Sequence, residues 1–381
     1  MPIDFTSLPK TELHMHLEGS IPVEALYELV KKHNRLEEAP TVDHVRKRYE
    51  FDDFAHFLEV YKWTVSFLKG ADDYEFVAYQ VAKTLVDQNV LFAEIMVGLG
   101  NSVAYGKHNP VDIVRAAWRG FKAAEVQHGI KIRVQVATGR DHGAQFSLDR
   151  LKDIEPLLGE VDICAFNMGG SEHVHPLPQF AKVFKRAHEM GLRVSVHAGE
   201  VSGPQDIYDA LDLNPQRIGH GIRAALDPTL MRELIERDIA LEVCPVSNEC
   251  TGAVPRLADH PLPRLIAAGV PLTLSSDDPA MFHTSVTREY EVAHDVLGVP
   301  TKTLIKVARE GFKRGFMDEE LRRSLLGMPD VLTEQHVRNE DDPKTADKLQ
   351  EIERNVMDKL AHLRKPLDTA VPDDSAADEE E

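Results

Sequence analysis

Cysteine is scarce in this sequence. Only Cys164, Cys244 and Cys250 occur among 381 residues, and no two of them form a C-x-x-C pair. This scarcity argues against a disulfide framework, which needs several cysteines at regular spacings. We expect the three thiols to be small, buried side chains.

Long apolar runs are also missing. The sequence contains no stretch of about 18 apolar residues, the length that a membrane-spanning helix requires. Its first residues, Met1–Phe5, lack the basic and apolar regions with which a signal peptide begins. We therefore predict no membrane span and a cytoplasmic location.

Positive charge is in deficit. The chain has 44 Lys and Arg against 63 Asp and Glu, a formal net charge of −19 at pH 7. Seven of the negative charges lie in residues 366–381, which contain no Lys or Arg. A protein that binds DNA or RNA through its backbone needs a basic face, so we expect no nucleic-acid partner. A neutral small molecule remains compatible with this charge.

Short β-like runs alternate with helical segments along most of the chain, and 43% of the residues are hydrophobic, enough for a substantial core. Eight such runs predict an α/β fold, a (β/α)8 TIM barrel. A doubly wound sheet is less consistent with the sequence, because the Gly-rich phosphate turn that usually follows its first strand is missing. The predicted strands cover Glu12–Leu17, Val90–Val97, Ile132–Thr138, Val161–Phe166, Arg193–Ala198, Arg217–Gly221, Ala240–Pro245 and Pro271–Ser276.

The barrel is expected to occupy residues 1–340, with helices past strand 8 to about Gly327. A polar amphipathic helix is predicted over 343–365, where it packs on the barrel or serves a partner. The acidic tail, 366–381, is predicted to be disordered because it has few apolar residues. Helical patterns between the later strands cover Gln179–Met190, Asp206–Leu211, Pro228–Arg237 and Pro263–Ala268.

The connection between the first two predicted strands is longer than a simple βα unit needs. Within it, apolar residues recur at near-helical spacing over Phe54–Leu68. This helix either packs on the barrel or forms a lid that excludes water from its mouth, and the sequence supports both interpretations.

His14 and His16 lie two residues apart on the first predicted strand, so their imidazoles share one face while Met15 points oppositely. Two imidazoles at the end of an inward-facing strand suit a first-row metal. An H-x-H pair alone is a weak signal, because such pairs are more often surface or core histidines.

Further polar residues end other strands. Strand 5 ends in His197-Ala-Gly-Glu200, strand 6 in His220, and strand 8 in Asp277-Asp278. Each has an ordinary structural interpretation as a core histidine, a turn residue or a helix cap. Their joint placement at C-terminal strand ends, where barrel enzymes assemble their sites, favours a common active site.

Binuclear barrel hydrolases usually need a bridging carboxylated lysine on strand 4, and Val161–Glu172 contains no Lys. We therefore predict one metal ion per chain, with a water completing its shell. Imidazole and carboxylate ligands favour Zn²⁺, with iron and manganese as alternatives. The predicted ligands are His14, His16, His197 and Asp277.

This set predicts a hydrolytic chemistry. A bound cation lowers the pKa of water from 15.7 to about 7, which makes hydroxide available at neutral pH. Glu200 lies close enough to ligand His197 to relay protons, and His220 would orient the hydroxide. Asp278 would accept a hydrogen bond from the ring edge of a substrate or help hold the water.

Five motifs in matching order, over roughly Leu8 to Leu326, resemble the adenosine deaminase family, which includes adenine and aminodeoxyfutalosine deaminases. The resemblance implies zinc on the four predicted ligands and the roles above for Glu200, His220 and Asp278. It also implies that Gly170 contacts the purine through its backbone, and we expect His16 and Asp278 to contact the substrate as well. The motifs are LHMHLEGS, SVHAGE, RIGHG, CPVSN with TGAV, and SSDDP.

Two departures from the family pattern concern the substrate. At position 18 adenosine deaminases usually carry Asp, whereas this chain has Glu18, the residue type that adenine deaminases have. After strand 2 the family often has a serine, and this chain has Gly98 in its place. Glu18 reaches further into the sugar site, whereas Gly98 removes bulk. We therefore expect Glu18 to contact the substrate and room to remain for a purine nucleoside, most simply adenosine, with adenine and aminodeoxyfutalosine as alternatives.

An inactive relative that recruits a protein partner is the alternative from another class. Such a relative would be expected to have lost a metal ligand or the proton shuttle, and this sequence retains all of them. The sequence thus favours an enzyme.

Overall fold

The structure of the protein is a computed structural model that describes residues 4–104 and 106–327. The predicted helix over 343–365 and the acidic tail, 366–381, lie outside the described residues. Across the described part of the chain, none of the helices combines the length and apolar character needed to span a membrane. The three cysteines are free thiols, and Cys164 and Cys244 are buried as expected.

All eight predicted strands form, and they pair in parallel in chain order. The ring closes beyond the last strand, where the Asp277 N–H donates to the His14 carbonyl oxygen (3.0 Å) and the His16 N–H donates to that of Asp277 (2.9 Å). The prediction of a (β/α)8 barrel is confirmed. The strands are β1 (Lys10–His16), β2 (Val90–Gly98), β3 (Lys131–Gly139), β4 (Ile163–Gly169), β5 (Arg193–Ala198), β6 (Arg217–His220), β7 (Ala240–Val243) and β8 (Leu272–Leu274).

Helices surround the barrel and fill its long first connection. The predicted helix in that connection forms over Phe54–Val65. Between the last strand and residue 327, where the described residues end, the chain is helical as expected and forms three helices. The helices are α1 (Val23–Lys32), α2 (Val42–Arg48), α3 (Phe54–Val65), α4 (Ala71–Val86), α5 (Leu99–Ala104), α6 (Pro110–His128), α7 (Gly143–Ile154), α8 (Ala181–Glu189), α9 (Pro204–Leu211), α10 (Pro228–Glu236), α11 (Pro245–Cys250), α12 (Leu262–Ala267), α13 (Val286–Asp295), α14 (Thr301–Arg314) and α15 (Glu319–Leu326).

The alternation of side chains along the strands separates two environments. On β1, Leu13 and Met15 point outward into apolar clusters, whereas His14 points inward. The barrel interior is polar, and its side chains are buried yet hydrogen-bonded to one another, as buried polar groups must be. Gln135 donates to Glu94 (2.7 Å), and Arg217 lies beside the same carboxylate.

Arg217 at the base of the barrel interior forms ion pairs with Glu94 and Glu242, and all three side chains are almost fully buried. Glu242 also accepts hydrogen bonds from His14 (2.7 Å) and Ser195 (2.9 Å). Burial opposes ionisation of Glu242, but the Arg217 charge and the His14 hydrogen bond hold its pKa at about 2. The carboxylate is therefore charged at neutral pH and connects the barrel base to His14.

Arg217→Met is expected to lower the free energy of unfolding by about 3–5 kcal/mol, because it leaves two carboxylates buried without their cation. The urea midpoint, followed by circular dichroism, measures the loss. Arg256→Met is the control, since Arg256 pairs with Asp259 at the exposed surface, and its midpoint should match that of the wild type. Equal midpoints for both variants would show that the buried cluster is not needed for stability.

Candidate metal centre and active site

The four predicted metal ligands meet at the C-terminal end of the barrel. His14 and His16 end β1, His197 lies near the end of β5, and Asp277 follows β8. Asp277 Oδ1 lies 3.5 Å from His14 Nε2 and 3.2 Å from His16 Nε2. His16 Nε2 lies 3.3 Å from His197 Nε2. The four residues thus belong to two groups of mutually close donor atoms that share Asp277: one contains His14, His197 and His220, and the other contains His16 and Asp278.

The far sides of two imidazoles are held by acceptors. His14 Nδ1 donates to Glu242 Oε2 (2.7 Å) and His197 Nδ1 donates to the Met168 carbonyl oxygen (3.1 Å). Since neither acceptor can donate, the ring protons lie on Nδ1 and the Nε2 lone pairs face the cluster. Burial, with His14 and His220 nearby, lowers the pKa of His197 well below its usual range, so this ring is neutral.

This donor set fits a divalent metal ion. His14 Nε2 is buried and has no hydrogen-bond partner, a costly state unless a cation binds it. Ser247 donates to Asp277 Oδ2 (2.6 Å), which leaves Oδ1 toward the histidines. Within residues 4–104 and 106–327, clusters of three or more side chains able to hold a metal occur only around Asp277. Three imidazoles and a carboxylate suit a first-row metal.

Two residues of the cluster have unusual backbone conformations. Asp277 and His220 adopt φ angles of 64° and 57°, in the left-handed region that non-glycine residues seldom occupy. The surrounding barrel holds these conformations, which turn both side chains toward the site, and such local strain is common at functional positions.

Glu200, the predicted proton shuttle, lies beside His220. Its Oε1 accepts hydrogen bonds from Asn248 Nδ2 and Thr251 Oγ1, both at 3.0 Å. Its Oε2 lies 3.7 Å from His220 Nε2. Because two donors already occupy Oε1, a proton on this carboxyl resides on Oε2, the oxygen that faces His220.

The loop after β5 is held by Glu172. This carboxylate accepts the backbone N–H groups of Glu200 (2.9 Å), Val201 (2.9 Å) and Ser202 (2.6 Å). Burial opposes ionisation, but these three hydrogen bonds lower the pKa of Glu172. The charged Glu172 therefore fixes the position of the Glu200 backbone.

A cavity of about 350 Å³ opens beside the metal ligands. All the predicted substrate-contacting residues line it, namely His16, Glu18, Gly170 and Asp278, together with Glu200 and His220. Gly170 has a φ of +84°, and a Cβ there would lie 2.2 Å from Asp141 Oδ2. Only glycine fits this wall, which brings the backbone to the cavity surface.

Two of the carboxyl groups that line the cavity are buried, and each has one oxygen without a hydrogen-bond partner. Asp278 Oδ1 and Glu18 Oε2 have no hydrogen-bond partner. Burial and the adjacent Asp277 carboxylate raise the pKa of Asp278 to about 8, and burial raises that of Glu18 to about 7. Both groups are therefore available to hydrogen-bond a ligand.

Gly98 lines the cavity, and the Glu18 carboxylate lies directly beside it. The Gly98 N–H donates to Glu18 Oε1 (3.0 Å), and a Cβ at position 98 would lie 3.1 Å from the same oxygen, a tight contact. The glycine therefore accommodates the longer acid without crowding. That room for a sugar remains in the cavity stays a prediction.

Helix α3 forms one wall of the cavity. Leu58, Tyr61, Lys62 and Val65 line it, while the Phe57 ring packs 5.0 Å from that of Phe282. Both interpretations of this segment therefore apply: the helix packs on the barrel and covers its mouth.

The sequence alone indicated no role for four supporting residues, Glu242, Ser247, Asn248 and Thr251. Glu242 lies on a predicted strand, and the other three lie in the CPVSN and TGAV motifs at and beyond its end, which was the available signal. Their partners are 12 to 228 positions away in the chain, so the specific contacts emerge only from the fold.

We predict close to one metal ion per chain, because the ligands form one cluster and β4 carries no lysine. Elemental analysis of the purified protein measures this ratio, and two equivalents in a fully active preparation would contradict it. His14→Ala is expected to lose metal and activity together, whereas His188→Ala, whose ring contacts the Leu213 carbonyl on the outer surface, should lose neither.

The sequence profile of the family described as adenosine deaminase matches residues 9–330. The aminodeoxyfutalosine deaminase of Streptomyces coelicolor is 37% identical over 314 residues, 82% of this chain and 81% of that protein. The adenine deaminase of Rhizobium meliloti is 34% identical over 321 residues, 84% of this chain and 97% of that protein.

Solved structures of deaminases have the same fold as this chain. The adenine deaminase from Arthrobacter aurescens superposes with a TM-score of 0.75 at 28% identity and covers 84% of this chain and 97% of that one. The N6-methyl-AMP deaminase from Arabidopsis thaliana shares the fold, with a TM-score of 0.74 at 23% identity, covering 85% and 96%. On the extent of the profile match and the identity to two curated relatives, the chain belongs to the adenosine deaminase family.

Proposed function

We propose that this protein is a zinc enzyme that hydrolytically deaminates a 6-aminopurine nucleoside, either adenosine or an adenosine altered at its 5′ position. The observation that carries the proposal is the convergence of one metal-type ligand cluster, Glu200 and two unpartnered carboxyl groups on a single cavity. The cytoplasm remains its predicted location.

His14, His16, His197 and Asp277 would hold the zinc ion, which would lower the pKa of a water molecule to about 7 and make hydroxide available. The net reaction adds the oxygen of one water molecule to C6 of the purine and breaks the bond from C6 to the amino nitrogen. Ammonia leaves, and a 6-oxopurine remains.

The protein's own groups move the protons and hold the base. Glu200 Oε2 gives a proton to the ring nitrogen beside the attacked carbon, since its other oxygen is held by two donors. His220, whose Nε2 lies 3.7 Å from Glu200 Oε2, orients the attacking oxygen. Asp278 binds the far ring edge, and the raised pKa of Asp278 suits a carboxyl that donates to a ring nitrogen.

The remaining cavity walls favour a nucleoside. Away from the metal ligands, polar groups from several elements line the cavity, including Lys62, Ser102, His142 and Ser171. A cavity of about 350 Å³ lies within the range of roughly 300–1,000 Å³ usual for ligand sites. Such walls supply hydrogen bonds for sugar hydroxyls or for a 5′ substituent, as the similarity to an aminodeoxyfutalosine deaminase supports.

Adenine is the second candidate, favoured by one observation. The Glu18 carboxylate lines the cavity beside Gly98, and its Oε2 has no hydrogen-bond partner. If that oxygen contacts the base itself, less room remains for a ribose. The similarity to the adenine deaminase of Rhizobium meliloti is consistent with this alternative.

Glu200→Gln is expected to lower kcat by about 10²–10⁴-fold, because it removes the proton shuttle and no metal ligand. Metal content and thermal midpoint should remain those of the wild type. Glu160→Gln, at a surface ion pair with Arg115, is the matched control and should keep full activity. A wild-type kcat for Glu200→Gln would exclude Glu200 from this role.

The substrate assignment is tested by kcat/KM for adenine, adenosine, deoxyadenosine and aminodeoxyfutalosine, followed by the loss of the 6-amino chromophore. A pocket that pairs its polar groups with sugar hydroxyls discriminates against a ligand lacking them. We expect adenosine or the 5′-altered nucleoside to exceed adenine by at least roughly tenfold. A preference for adenine would refute the nucleoside assignment and leave the metal and Glu200 assignments intact.

A further inference from the structure

A chain of hydrogen bonds runs from the backbone N–H of Leu262 to His220 and Glu200. The Leu262 N–H lies 3.0 Å from His260 Nδ1, and His260 Nε2 lies 3.1 Å from Asn248 Oδ1. Asn248 Nδ2 lies 3.2 Å from His220 Nδ1 and 3.0 Å from Glu200 Oε1. Asn248 is fully buried and His260 nearly so.

The direction of every bond in this chain follows from its first member. A backbone N–H can only donate, so His260 Nδ1 carries a lone pair and the proton of the neutral ring lies on Nε2. That proton is donated to Asn248 Oδ1, which fixes the orientation of the amide. The two amide N–H groups then point at His220 Nδ1 and at Glu200 Oε1.

His260 is held in the neutral form that this arrangement requires. Burial, with His220 nearby, lowers the pKa of His260 to about 3. A protonated ring would carry hydrogens on both nitrogens and would oppose the Leu262 N–H. The neutral ring thus accepts from the Leu262 N–H and donates to Asn248 Oδ1. Its protonation state does not change near neutral pH.

The consequence concerns His220. Since its Nδ1 accepts from Asn248, the proton of the neutral ring lies on Nε2, which faces Glu200 Oε2 (3.7 Å) and Asp277 Oδ2 (3.9 Å). The opposite tautomer would present a lone pair there. The His220 donor atom lies within 4.8 Å of those of His14, His197 and Asp277, so the opposite tautomer could join the metal ligands.

We propose that His260 and Asn248 are positioning residues that keep the proton of His220 on Nε2 and hold Glu200 with Oε2 free. His220 then donates a hydrogen bond to the attacking oxygen and stays outside the ligand set. The inference rests on the roles proposed above for Glu200 and His220, but its first test needs no substrate.

The tautomers can be measured directly in the purified zinc enzyme labelled with ¹⁵N-histidine. Long-range ¹H–¹⁵N spectra are expected to show the proton on Nε2 in both His260 and His220. The signals are assigned from the His260→Gln and His220→Asn variants. A proton on Nδ1 of either ring in the wild type would overturn the proposal, whether or not the enzyme deaminates any substrate tested.

Asn248→Asp replaces the two amide donors with an acceptor of the same shape. We expect the His220 proton to move to Nδ1 in the same spectra, and kcat to fall by roughly 10–100-fold, as for other residues that orient a catalytic group. KM should stay within about threefold of the wild-type value, since Asn248 does not line the cavity. An unchanged kcat would overturn the proposal.

His260 is tested by a pair of substitutions. His260→Leu removes the donor to Asn248 and should lower kcat by roughly tenfold or more, whereas His260→Gln offers an amide N–H in its place and should recover most of that loss. His188→Gln is the control and should retain wild-type kcat, because His188 lies on α8, does not line the cavity and has its Nε2 3.2 Å from the Leu213 carbonyl oxygen. Equal kcat values for His260→Leu and the wild type would contradict a positioning role.

Discussion

The Glu242 carboxylate joins the part of the barrel that stabilises the fold to the part that binds metal. One of its oxygens pairs with Arg217, and the other accepts from His14 and Ser195. A charged carboxylate in a buried site is unfavourable unless its partners are fixed. Glu242 therefore stabilises the barrel base through Arg217, and through His14 it determines which nitrogen that ring presents to the other predicted metal ligands.

Other functional groups of the site are oriented in the same way, each by a hydrogen bond on the side that faces away from the cavity or the ligand cluster. Met168 holds His197, Ser247 holds Asp277, and Glu172 holds the backbone at Glu200. These partners come from the ends of β4 and β7, which the barrel closure brings close to the ends of the strands that carry the functional residues. Such preorganised groups reduce the rearrangement needed during the reaction. The site is thus a property of the whole ring of strands, and no single motif could form it.

Sequence periodicity predicts where the strands lie, but it does not predict the residues at which they begin and end. The fourth strand begins at Ile163 and not at Val161, because the Val161 N–H is already bonded to the Leu157 carbonyl (2.9 Å) in the preceding turn. The eighth ends at Leu274, and the chain then turns so that Asp277 can adopt its left-handed conformation. Local turns and strain, which periodicity does not report, set these limits.

The sequence by itself determined the barrel, the four candidate ligands and the acid–base residues, because two-residue spacing on a strand and placement at strand ends are local properties. Only the tertiary structure decided that the Glu18 carboxylate bonds to the Gly98 N–H, and that Asn248 links His260 to His220. Those outcomes depend on hydrogen bonds between residues 12 to 80 positions apart. Which donor meets which acceptor across such separations is settled by the packing of the whole chain, since many residues of the same type could have served.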